Sequence, residues 1–105
     1  MPLANVTVIP LGTGSPSLSK YIAECVKEIE RSGIKHTLTP FGSVLEGDLD
    51  QILEVIKKIH EVPFKYGVQR VATLVNIDDR RDKKASAEQK IQSVKEKLEL
   101  EKVEK

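Results

Sequence analysis

Two amphipathic helical stripes, each set between runs of β-branched residues, restrict this chain more than any other feature. Leu18, Ile22, Cys25, Val26 and Ile29 follow one another at spacings of four, three, one and three, which places them on one face of a helix that Gly33 ends. Ser15 or Ser17 is suited to cap it. Leu49, Ile52, Leu53, Ile56, Ile59 and His60 form a second stripe, opened by Asp48 as a cap and bounded by Pro63 and Gly67. Between and around the helices lie strand-like runs. Ala4 to Leu11 closes at the Gly12-Thr13-Gly14-Ser15 loop, His36 to Phe41 and Ser43 to Glu46 read as a hairpin joined at Gly42, and Gln69 to Ile77 is the last strand. A third helix follows, capped by Ser86, with Ile91, Val94 and Leu98 as a thin stripe suited to an edge or a neighbouring subunit, and frayed at its end.

Strand, helix, strand, strand, helix, strand is the ferredoxin-like order. Right-handed crossovers then place both helices on one face of a four-stranded antiparallel sheet, so the expected class is an α+β, split βαβ (βαββαβ) sandwich with an added C-terminal helix. At 105 residues the chain is expected to form a single domain, 1–105. Alternation along the last strand assigns Val71, Thr73, Val75 and Ile77 to the helices and leaves Arg70, Ala72, Leu74 and Asn76 on the open face. Asn5, Thr7 and Ile9, with Thr37, Thr39 and Phe41, join that open face. A surface that mixes hydroxyls with apolar groups is suited to a subunit interface, with a small ligand between sheets.

Composition narrows the function classes. Seventeen basic and 16 acidic residues leave a net charge of +1, which gives no electrostatic drive toward nucleic acid or anionic membrane. Only Phe41 is available for base stacking on the open face. The single Cys permits no internal disulfide and, with two His, supplies too few ligands for a closed zinc site, which suits a reducing cytoplasm. No apolar run is long enough to span a bilayer and the first residues carry no export signal, so neither insertion nor export is expected.

Four features are candidates for chemistry. Gly12-Thr13-Gly14-Ser15 precedes a helix and could cradle phosphate, but it lacks the Walker lysine and the dinucleotide spacing, which favours a flexible turn. Glu46 could accept hydrogen bonds from an amine-bearing heterocycle, or be a solvated strand-end carboxylate. Asp78-Asp79-Arg80-Arg81-Asp82-Lys83 could clamp an anion, or be a self-neutralising turn that ties the last strand to the last helix. Cys25 lies on a core stripe and reads as an inert thiol, and no catalytic arrangement of Ser, His, Asp or Cys can be written from the spacings.

Val8-Ile9-Pro10-Leu11-Gly12-Thr13, Ser17-Leu18-Ser19, Pro40-Phe41-Gly42-Ser43-Val44-Leu45-Glu46-Gly47 and Ile77-Asp78-Asp79-Arg80-Arg81-Asp82-Lys83 together resemble the small thiamine-binding protein family of archaea, bacteria and yeast. The resemblance implies a ferredoxin-like fold, dimers of dimers assembled through sheet faces and edges, and non-enzymatic binding of thiamine or its hydroxymethylpyrimidine moiety near subunit interfaces. It implies no catalytic residue, no metal and no cofactor. Carried over, Ser43 and Glu46 would lie by the ligand, with Thr7 and Thr37 on the same open face. Arg70, Arg80, Asp82 and Lys83 match the family's charged positions around the last strand and serve as anion or interface residues. Two other readings stay open: a structural or regulatory oligomeric module without a ligand, and an enzyme acting on a small anionic metabolite through the Arg80 region.

Overall fold

A computed structural model describes residues 1–82 and 86–104. The elements run β1 Leu3–Leu11, α1 Ser19–Ser32, β2 Lys35–Thr39, β3 Gly42–Glu46, α2 Leu49–Glu61, a 3₁₀ turn Pro63–Tyr66, β4 Arg70–Asp78 and α3 Ala87–Glu104. The four strands form one antiparallel sheet in the order β2-β3-β1-β4, the expected split βαβ arrangement with its additional C-terminal helix.

The two apolar stripes place α1 and α2 against each other and over the centre of the sheet. Cys25 and Ile29 from α1, and Ile52, Val55 and Ile59 from α2, meet Ala4 and Val6 of β1 and Leu45 of β3 in one buried cluster. Each large side chain removed from water there contributes about 1.5–3 kcal/mol. Gly33 ends α1 at φ +73°, and its N–H donates to the Glu30 carbonyl at 3.1 Å, so Ile34 can turn back into the core.

Register confirms the faces assigned to β4. Ala4 lies opposite Ile77, Val6 opposite Val75 and Val8 opposite Thr73, so the expected set faces the helices. His60 of α2 reaches it, with Nδ1 2.8 Å from Thr73 Oγ1. Cover is incomplete, however, because the helices centre on β1 and β3. Val75 and Ile77 remain 38% and 42% exposed.

The caps differ from expectation. Neither Ser15 nor Ser17 caps α1. Ser15 Oγ accepts from the Ser17 N–H at 3.1 Å and Ser17 Oγ lies 3.4 Å from Ser19 Oγ, which leaves Leu18 at the N-cap. Asp48 holds the N-cap of α2 through its backbone alone, its carbonyl accepting from the Ile52 N–H at 2.9 Å. Ser86 does cap α3. Its Oγ accepts from the Gln89 N–H at 3.2 Å while Gln89 Oε1 accepts from the Ser86 N–H at 2.9 Å, a reciprocal capping box. The hairpin turns at Pro40-Phe41, and Gly42 is the first residue of β3 instead of the turn itself.

Candidate functional site

The hairpin strands have five residues each, whereas β1 and β4 have nine. Pairing of β1 with β3 stops at Val6–Ser43, so beyond it β1 continues with β4 on one side and no strand on the other. The notch left in the sheet is closed over by α1. A cleft of about 220 Å³ results, walled by β1 from Val6 to Ile9, by the first turns of α1 through Leu18, Tyr21, Ile22 and Cys25, and by the hairpin end from Leu38 to Ser43, with Ile59 behind. Among the described residues, no charged one lines it.

Ser43 supplies the inward polar group. It pairs with Val6 and Leu38, which puts its side chain on the helix side of the sheet, and it is buried. Among the described residues none hydrogen-bonds its hydroxyl. The turn beside it is pinned. Thr39 Oγ1 donates to the Gly42 carbonyl at 2.8 Å and accepts from the Phe41 N–H at 3.2 Å, while Thr7 Oγ1 donates to the Phe41 carbonyl at 2.6 Å. The Phe41 ring is left 82% exposed. On the α1 side, Tyr21 is packed edge-on against Tyr66 at 6.1 Å, with Lys20 Nζ 4.9 Å from the Tyr21 ring centre.

The four residues expected around a ligand do not converge on one face. Thr7, Thr37 and Glu46 are on the open-face positions of their strands, and Ser43 is on the opposite side. The correction follows from period two: Ser43 and Glu46 are three apart, an odd step, and an odd step along a strand changes face. Thr7 is engaged with the hairpin turn and Glu46 with α3, its Oε1 accepting from the Ala87 N–H at 2.9 Å and its Oε2 lying 3.3 Å from Lys35 Nζ.

The charged set is likewise divided. Arg70 opens β4 opposite Leu11, whereas Arg80 and Asp82 lie beyond its far end, which is about 27 Å from Arg70 along the strand. Arg80 grips Asp82 through Nε at 2.5 Å and a second N–H at 2.9 Å, and Arg81 pairs with Asp79 at 2.7 Å. Among the described residues these charges pair with one another. Lys83 lies outside the described residues.

The family model described as thiamine-binding protein matches residues 4–95. The chain belongs to the thiamine-binding protein family. It is 49% identical over 98 residues to the UPF0045 protein YqgV of Bacillus subtilis, covering 90% of this chain and 94% of that one. It is also 35% identical over 96 residues to the UPF0045 protein ECM15 of Eremothecium gossypii, covering 91% of each. Among solved structures, the hypothetical protein MJ1052 of Methanocaldococcus jannaschii superposes with a TM-score of 0.81 at 37% identity, over 90% of this chain and 96% of that one. A putative thiamine biosynthesis/salvage protein of Thermotoga maritima, 18% identical, shares the fold at a TM-score of 0.72 over 89% of this chain and 97% of that one.

In this member of the thiamine-binding protein family, the walls of the cleft were not legible as a site. Leu18, Tyr21 and Leu38 look like ordinary core or surface residues, and only the mismatch in strand length points to a notch. Cys25 is held in the core with its thiol 3.6 Å from the Ile59 carbonyl, and burial followed by the charges of Glu24 and Glu28 pushes its pKa up to about 11.

Glu46 does have a titration consequence. The Ala87 N–H, aided by Lys35, holds its carboxyl below the usual carboxylate range despite the opposing effect of burial. A carboxylate depressed in the folded state stabilises fully above its unfolded value, about pH 4.3, and that contribution drains as pH falls through the folded-state value. Glu46→Gln is expected to lower the urea midpoint at pH 7, with the deficit shrinking as pH falls below about 4.3. A deficit independent of pH would show that the charge has no part in anchoring α3.

Proposed function

We propose that this chain is a non-enzymatic binding protein for thiamine or its hydroxymethylpyrimidine portion, and that the pyrimidine occupies the notch between β1, the hairpin and α1. The observation that supports this reading is a small, largely apolar cleft, with no charged residue among its described lining and with an inward, unengaged hydroxyl on Ser43, in a member of the thiamine-binding protein family. A flat neutral heterocycle gains most from apolar walls that exclude water, and a hydroxyl that both donates and accepts orients its ring nitrogens or amino group. Binding is favoured over catalysis because Cys25 and Tyr21 are the titratable residues lining the cleft, and the Cys25 thiol stays protonated at neutral pH.

Assembly is part of the same reading. The open face carries Ile9, Val44, Ala72 and Leu74 among polar side chains, and Leu74 is exposed. We take this face and the sheet edges as contacts of a homotetramer, in the cytoplasm, where a chain with one buried cysteine needs no oxidising environment.

Thermal unfolding at fixed protein concentration, with thiamine, hydroxymethylpyrimidine and thiamine phosphates as additives, tests the binding. A saturable rise is expected, since ligand at a hundred times its Kd adds about 2.7 kcal/mol. Ser43→Ala is expected to weaken binding roughly three- to tenfold, the worth of one hydrogen bond, whereas Thr37→Ala, on the other side of the sheet, leaves it unchanged. No shift with any additive, from an assembled protein, would favour the ligand-free oligomeric module.

A further inference from the structure

α3 has 18 residues, and its described large apolar side chains are more than half exposed. Ile91, Val94 and Leu98 are 57%, 58% and 51% exposed. Its base is fixed, by the capping box, by the bond from the Ala87 N–H to Glu46, and by the ion pair of Lys90 with Asp78. Beyond these anchors, among the described residues, it packs substantially on no other element. The molecule's longest dimension of 56 Å is about that of a nine-residue strand and this helix laid end to end. α3 is an arm.

The arm's apolar pattern is that of a helix–helix seam. Ala87, Ile91, Val94 and Leu98 recur at four, three and four, the a/d rhythm of a coiled coil, and form a stripe narrower than that of a helix lying on a sheet. We propose that α3 pairs with α3 of a second copy of this chain, antiparallel about a two-fold axis. Leu98 of one copy then meets Ala87 of the other, and Ile91 meets Val94. Each position of the stripe is matched, a large side chain against a smaller one, while Leu100 lies off it, and the contact is self-complementary as a two-fold requires.

The flanking charges select this direction. In the antiparallel register Glu88 of each copy comes beside Lys95 of the other, while Lys90, which approaches Lys97 of the other copy, is already neutralised by Asp78. A parallel pair would instead set Lys90 against Lys95 on both sides. Two heptads bury less than the ~1,200 Å² of a stable free-standing interface. The α3 pair therefore reinforces one of the two sheet contacts proposed above, face or edge, and it is independent of whether a ligand binds.

Sedimentation velocity of the full-length protein over a range of concentrations tests this. The wild type is expected to be a tetramer, and Val94→Asp to halve its mass while circular dichroism and the response to ligand stay unchanged. Glu88→Lys is expected to weaken association several-fold, and Glu88→Lys combined with Lys95→Glu to restore it. A wild-type monomer, an unchanged mass for Val94→Asp, or failure of the double charge swap to recover association would overturn the proposal.

Discussion

Replacing Gly42 with alanine is expected to cost about 2–4 kcal/mol of stability and to abolish ligand binding. A Cβ at this position would lie 2.5 Å from the Val6 carbonyl oxygen, 2.7 Å from Thr7 Oγ1 and 3.2 Å from Asn5 Oδ1, and the first of these is backbone that cannot swing away. The φ of +153° adds strain that glycine alone avoids. Relief would require β3 to move off β1 at the last pair before the notch, carrying with it the Thr7–Phe41 bond and the hairpin end that walls the cleft. Gly33→Ala provides the control. It too sits at positive φ, but a Cβ there meets nothing within 4 Å, so its cost should be near the ~1 kcal/mol of left-handed backbone strain. Equal losses for the two variants in urea unfolding would show that the close approach of β1 and β3 is not what demands glycine at 42.

Ile59→Ala is expected to cost about 3–4 kcal/mol, within the range for truncating a buried isoleucine, whereas Ile59→Val should cost about 1 kcal/mol. Ile59 is 2% exposed and belongs both to the core cluster and to the back wall of the cleft. Its truncation would open the cleft inward, so affinity for a pyrimidine should fall along with stability. Ser43→Ala separates the two effects, because it removes a hydroxyl that no described residue engages and should weaken binding with little change in the unfolding midpoint. If Ile59→Ala left ligand affinity intact, the ligand would have to sit elsewhere, and the open sheet face with Thr7 and Thr37 would become the site to test.

The two stripes and the β-branched runs between them determined the elements, their order and therefore the sheet topology, because helix and strand periods are local properties that each segment carries alone. Period two also determined which side of β4 faces the helices. The capping box of Ser86 was equally local, with both bonds spanning three residues. What only the tertiary structure decided is where unequal strands leave a gap. The notch exists because two five-residue strands lie beside nine-residue ones, and its walls come from residues 6 to 59, which no single segment contains. Glu46 shows the same division. Its place on the open face follows from alternation, but its partner Ala87 is 41 residues away, so its use as an anchor for α3 depends on the fold bringing the end of β3 to the start of the last helix. Ser43 entered the sequence reading through a family resemblance, grouped with Thr7, Thr37 and Glu46. Chain position put it beside Glu46, and the pleat put it on the other side of the sheet, facing the cleft.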